Sequence, residues 1–356
     1  MPVNGRERPV MPGAWQAMTV IHPGSAGLRV RYRQGVLIDA AGFPDWVLYA
    51  RTVVELPAPI AELTGDEHRV FDVLAANRVM LGADPLWPDL RVGLPHATAT
   101  PPGWCWARLP VSGERARRVA LVPVELHGAF RHGGGSRTLP VGRPGSGVRT
   151  GVAPVERGNG EVVSEPIIAE VEALLGYGLP PAYRRFLAAG NGVGPAEPAV
   201  SAVAGMVVDQ PLFGLGRDDM LQDLGYAPRW LGDRFTGEFL PVGFVQGGIL
   251  AIRVAGPDAG SVWFFDDDDP RDDDSLGPAE ICGRLLRRCA GDFDEFWAGL
   301  RRPAAVLLEV VEDLVAGGLV GDVRPELAGA ALPERMRAEW QAVPQQRSIS
   351  VDDLML

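Results

Sequence analysis

Residues 179–192 read LPPAYRRFLAAGNG, and the fold of the second half of the chain turns on how they are read. Proline is tolerated in the first turn of a helix, where its missing N–H has no intrahelical partner to lose. Tyr183, Phe186 and Leu187 then stand at i, i+3 and i+4, and Gly190-Asn191-Gly192 supplies a stop. The stretch predicts a short amphipathic helix with an aromatic face turned to a core.

Upstream, IIAEVEALLG (167–176) has the same character, with Ile168, Val171, Leu174 and Leu175 on one face. Downstream, FLPVGFVQ, ILAIRVAG and SVWFFDDD read as strands. Gly247-Gly248 joins the first two and Pro257-Asp258-Ala259-Gly260 the next pair, which predicts an antiparallel meander. FDEFWAGL (293–300) and PAAVLLEVVEDLVAGG (303–318) are further helical runs. Helices flanking an antiparallel sheet predict the α+β class.

With 356 residues the chain exceeds what one core usually serves, so two domains are expected. Between His132 and Ser164 the hydrophobic periodicity disappears and Gly, Pro, Ser and Arg crowd together, as in a flexible linker. The expected layout is a first domain over 1–140, a linker over 141–163, a second domain over 164–302 and a C-terminal helical extension over 303–356. In the first domain short strands surround one clear helix, DEHRVFDVLAANRVML (66–81), apolar at Val70, Val73, Leu74 and Ala76.

An apolar share of 46% with 22% charged residues fits a soluble globular protein. There is no run of about 18 apolar residues and no basic stretch leading into an apolar one, so the expected compartment is the cytoplasm. Cys105, Cys282 and Cys289 are odd in number and lack paired spacing, and they read as free thiols. All 34 basic residues are arginines, which points to a GC-rich bacterial coding sequence. Charge is unevenly spread: residues 1–150 carry 17 Arg against 12 acids, a net of +5, whereas 151–356 carry 17 against 33, a net of −16. Such halves are expected to have different partners.

In order and spacing the second half resembles the SUKH superfamily. The matching residues are Leu179, Pro180, Tyr183, Phe186, Leu187, Asn191 and Gly192, then Leu240 to Gly243, Trp263 to Asp266, Phe293 and Phe296. The resemblance implies binding rather than catalysis, since many bacterial SUKH domains act as immunity proteins that block a cognate toxin. The run DDDDPRDDDS (266–275) suits that role, with seven aspartates in nine positions. Asp266, Asp267, Asp268, Asp269, Asp272, Asp273 and Asp274 are the candidate rim for seating a basic nuclease. The alternative for the same run is a solvated loop that keeps the protein soluble. It does not read as a calcium loop, because Leu276 and Gly283 fall on ligand positions counted from Asp272.

Residues 42–135 resemble the WHH group of HNH/endonuclease VII-type nucleases. The match runs through Gly42, Pro44, Asp45 and Trp46; Asp72, Ala76 and Asn77; and Pro101 to Trp106. It continues through Leu121 to Pro123, Leu126, His127, His132, Gly134 and Gly135. Where the family pattern places His-His after Trp106, this chain has Ala107-Arg108. The resemblance implies a histidine base and histidines holding a divalent metal. Alanine cannot titrate and arginine cannot accept a proton. Trp106, Ala107, Arg108, His127 and His132 are therefore expected to be vestiges, with no catalytic residue, metal or cofactor, although His96 offers a possible substitute base.

Three functions follow. The first is a non-enzymatic immunity protein that neutralises a toxin, a basic nuclease, and carries a pseudo-nuclease half. The second is an active nuclease toxin fused to its own immunity domain. The third is a SUKH regulatory adaptor.

Overall fold

The computed structural model describes residues 50–81, 99–110, 117–128, 147–217, 222–272 and 276–318. Shorter pieces are described at 2–3, 6–7, 18–20, 36–38, 44, 46–48, 83, 87, 131–132, 134 and 145. Two small antiparallel ladders come first, β1 (Pro2–Val3) with β2 (Arg6–Glu7) and β3 (Met18–Val20) with β4 (Val36–Ile38).

The nuclease-like half is built on a three-stranded antiparallel sheet. Its central strand β7 (Arg117–Pro123) lies between β5 (Thr52–Leu56) and β6 (Trp104–Arg108), with Leu121 opposite both Thr52 and Trp106. Helix α1 (Gly65–Met80) begins at Thr64, whose hydroxyl accepts from the Glu67 N–H while the Glu67 carboxylate accepts from the Thr64 N–H. This reciprocal cap satisfies two donors that every helix start leaves open. The helix is buried nearly all round, from Asp66 to Asn77. A one-faced pattern understates it, because elements of the second half cover the face expected to be wet. A short helix α2 (Val124–Gly128) follows β7.

The expected linker, 141–163, is corrected by a strand. Within it β8 (Thr150–Pro154) joins a four-stranded sheet of order β10-β9-β15-β8, with β9 (Ala199–Ser201), β10 (Val207–Val208) and β15 (Leu300–Pro303). The approach to β8 is also pinned. The Gly145 and Gly147 N–H groups donate to the Asp66 carboxylate, and the Arg149 backbone N–H donates to Glu67. Glycine and proline gave the segment its linker-like composition, but backbone pairing holds it without needing apolar side chains.

The SUKH-like half follows expectation. Helices α3 (Glu165–Leu175) and α4 (Pro181–Gly190) lead in, and α4 ends on Asn191 in the left-handed region (φ 46°). After α5 (Ala227–Trp230) comes the meander β11 (Phe239–Val245), β12 (Gly248–Arg253) and β13 (Val262–Asp266). Helix α6 (Pro278–Arg284), strand β14 (Arg287–Ala290) beside β13, and helix α7 (Phe293–Gly299) complete it. The aromatic face of α4 meets α7, with Phe186 4.6 Å from Phe293 and 5.2 Å from Trp297 between ring centroids. The fold is α+β.

Helix α8 (Ala305–Ala316) opens the expected C-terminal extension and packs on α1, with Arg78 paired to Glu312 at 2.6 Å. The rest of that extension, 319–356, lies outside the described residues. The two halves also share their cores. Trp46, Cys105, Ala107, Val122 and Leu126 join one apolar cluster with Phe213, Val242 and Phe244, while Val70, Leu74 and Trp106 join another with Val207, Leu307 and Val311. No described helix is long and apolar enough to cross a membrane.

Candidate functional site

Strand β6 explains how the nuclease motif is used. Side chains of a strand alternate between faces. Cys105 and Ala107 therefore face the second half, while Trp106 and Arg108 face α1. The Trp106 indole N–H donates to the Asn77 side-chain oxygen at 2.8 Å. Ala107 is only 1% exposed and sits in the apolar cluster that both halves build. Arg108 pairs with Asp72 of α1 at 3.0 Å and with Asp268 of the acid run at 3.3 Å. Arg117 holds the other oxygen of Asp72 at 2.6 Å.

Of the two expectations for the acid run, the solvated loop does not hold for its described residues. Asp266, Asp267, Asp269 and Asp272 are 0%, 6%, 2% and 1% exposed, and the Asp268 side chain is 11% exposed. Asp273 and Asp274 lie outside the described residues. Asp266 takes Arg69 of α1 at 2.6 Å and Arg287 at 3.1 Å. Asp272 receives a two-pronged bond from Arg131, whose guanidinium also donates to the Leu276 carbonyl at 2.5 Å. Asp269 folds back on Arg271. Burying carboxylates is costly unless cations meet them; the first half provides Arg69, Arg108 and Arg131, and the second adds Arg287 and Arg271.

Asp267 differs from its neighbours. Its carboxylate comes within 3.6 Å of the His127 Nδ1, and its Oδ2 makes no hydrogen bond. Burial pushes Asp267 up to about 7; Arg234 opposes this and Asp268, Asp266 and Asp272 add to it. Burial pushes His127 down to about 4, with Arg234 acting in the same direction and Asp268 against it. His127 and His132 lie edge to face with ring centroids 4.8 Å apart, and Trp46 packs on both. The space left among Trp46, Arg108, the two histidines and Asp267 is about 10 Å³, room for about one water molecule.

Gly134 makes this seat possible. A Cβ there would stand 2.1 Å from Asp268 Oδ1 and 2.7 Å from the Asp267 carbonyl oxygen. A second seat lies over the Pro-Pro-Gly turn. Gln210 accepts from the Gly103 N–H at 2.8 Å and donates to the Thr100 and Pro101 carbonyls, while Gln246 accepts from the Trp106 N–H at 3.1 Å. Asp209, which burial pushes up to about 6 against the hydrogen bonds it accepts, receives Gln246 and the Thr100 N–H.

The structure thus brings together Trp106, Arg108, His127 and His132 with the acid run, and it turns Ala107 away into the shared core. His96 lies outside the described residues. Sequence reading missed Arg69, Arg131, Gln210 and Gln246. Nothing local marks them, because each works through a partner more than 100 residues away.

The nuclease resemblance implies a divalent metal, and these residues do not fit one. Asp268 is engaged by Arg108, the remaining space is about that of one water, and among the described residues no group of three His, Cys, Asp or Glu could hold an ion.

Residues 163–299 match the SMI1 / KNR4 family (SUKH-1). Residues 96–140 match the family described as a nuclease of the HNH/ENDO VII superfamily with conserved WHH. Among curated proteins none matches the chain. A SUKH domain and a WHH nuclease-like domain are therefore both present, in the order the sequence indicated.

Proposed function

We propose that this chain is a non-enzymatic immunity-type interaction protein of the toxin-neutralising kind, in which a SUKH half closes over a nuclease-like half that has lost its base. The observation that carries the reading is the seating of Asp266 to Asp272 in the cleft beside His127 and His132. Ala107 supplies no base, Arg108 is engaged from both sides, and a histidine held near 4 is a weak proton acceptor at neutral pH. The aspartates serve as a partner-binding surface, and the partner seated on them is the chain's own first half. That cis complex models the face a SUKH domain offers to a basic nuclease.

A second reading, an active toxin silenced by its own immunity half, is favoured by the paired His127 and His132. Plasmid cleavage with magnesium, manganese or zinc separates the two readings. The full chain and its Gly134→Ala variant, whose acid run is displaced, should both leave DNA intact. Cutting by Gly134→Ala that vanishes on adding His127→Ala would establish the second reading. For neutralisation, the full chain co-expressed with a WHH-type nuclease toxin should restore growth, and continued killing would refute the immunity role.

A further inference from the structure

Strand β8 is the last strand of its sheet. β15 pairs with one side of it, and among the described residues no strand pairs with the other. Proteins usually blunt such an edge with charged side chains or prolines. Here Thr150–Pro154 reads TGVAP, without a charge and with proline only at its end. Val152, at the centre of the strand, is 95% exposed, more than a lone apolar side chain beside an apolar surface should be unless something covers it.

An open groove of about 600 Å³, bordered by β8 and α8, adjoins this edge. That volume is in the range of sites that take a sizeable occupant. Its apolar lining includes Val152, Pro198, Pro303, Leu308 and Val311. Six described charged residues border it. Arg78 is held by Glu312 and Arg302 by Glu197, each at 2.6 Å, so both cations are already paired. Glu309 and Asp313, one turn apart on α8, are left exposed with no described cation beside them. The groove is therefore apolar inside and acidic at its rim. Its framing elements β8, β15 and α8 lie outside both family matches.

We propose that the groove takes an extended segment of another protein, apolar in its middle and basic at its ends, which adds as a strand beside β8. An open sheet edge calls for a polypeptide backbone as its complement. The main chain supplies affinity through ladder hydrogen bonds, and the groove selects the side chains. Charge argues against a second copy docking groove to groove, because Glu309 and Asp313 would meet a rim of their own sign. The inference is separate from the immunity reading: its test uses neither DNA nor a toxin, so either can fail alone.

The test reads the fluorescence anisotropy of a short labelled peptide, valine alternating with threonine between arginine ends, titrated with the full chain. Salt is held at about 0.15 M, where attractions beyond about 8 Å are screened. The peptide should bind. The same peptide N-methylated along its interior, which keeps its charge but cannot donate ladder bonds, should not. Val152→Asp, at a position exposed enough to leave the fold intact, should weaken binding at least about ten-fold by removing an apolar contact. Attraction between opposite charges alone would instead strengthen it. Glu309→Arg with Asp313→Arg should transfer the preference to a peptide with glutamate ends. No binding by the full chain, equal binding of the N-methylated peptide, or binding left intact by Val152→Asp would overturn the proposal. So would self-association of the native chain in sedimentation that Val152→Asp abolishes, since the cover would then be a second copy.

Discussion

Two neighbouring residues, Ala107 and Arg108, stand where the WHH pattern has His-His, and both join the halves of the molecule. Ala107 fills its place in a core shared by the two halves, and Arg108 reaches from Asp72 to Asp268. The two residues that stand where the WHH pattern has His-His are therefore part of the junction between the halves. Ala107→His should overpack that core and cost about 1–3 kcal/mol. Arg108→Ala should cost about 3 kcal/mol, because carboxylates stay buried without that cation. Urea midpoints of the full chain check both, and a neutral Ala107→His would separate the alanine from that junction. The Asp267–His127 pair makes a prediction in pH. Asp267 is raised from 3.8 to about 7, so its term favours the folded state at low pH and is lost as pH rises toward 7. His127 is lowered from 6.5 to about 4, so its term has the opposite sign and is gained between those values. Burial moves the pair's proton from histidine to aspartate, and the two terms nearly cancel from about pH 4 to 6.5. Asp267→Asn keeps only the histidine term. The stability of the native chain relative to this variant should therefore shrink as pH rises from 4 toward 7, and a constant difference would refute the assignment.

At the scale of elements, composition alone says little about the acid run and the segment before β8, and for related reasons. Seven aspartates in nine positions look solvated until Arg69, Arg108 and Arg131 arrive from elements far away in the chain. A glycine-rich segment looks loose until its backbone N–H groups find Asp66 and β8 finds β15. What the sequence did disclose rests on short-range order. The 3.6-residue pattern of α4, the meander β11–β13 and the stop at Asn191 need no knowledge of distant partners. The motif residues around Trp106 and His132 were legible in the same way, but their occupation by a second domain was not. Gly134 tests this assignment of the acid run. Gly134→Ala should drive a methyl group into the backbone of Asp267 and Asp268, costing about 1–3 kcal/mol. Hydrogen exchange over 266–272 should accelerate in that variant while β11 and β12 stay protected. Unchanged exchange over the run would show that the glycine does not set its approach.

At the scale of the whole molecule, opposed net charges of +5 and −16 suggest two bodies held by attraction across a tether. The structure replaces that picture with a welded pair. Apolar clusters run through both halves, α8 of the C-terminal part packs on α1 of the first, and Gly128 lies so close to Phe244 that a Cβ would meet the ring at 2.0 Å. Exposed attractions fade beyond about 8 Å at physiological salt and about 3 Å at 1 M, whereas buried pairs and apolar contacts are little affected. The ion pairs that join the halves, Arg69–Asp266 and Arg131–Asp272 among them, have side chains no more than 7% exposed. Charge thus selects which surfaces meet, and burial keeps them together. Two domains that share a core have no separate folded states to populate, so they should unfold in one step. Scanning calorimetry of the full chain should give a single heat-absorption peak, and raising salt from about 0.15 M to about 1 M should leave it single. Two resolved peaks, or a peak that splits as salt rises, would show that the halves are held by surface charge and can part.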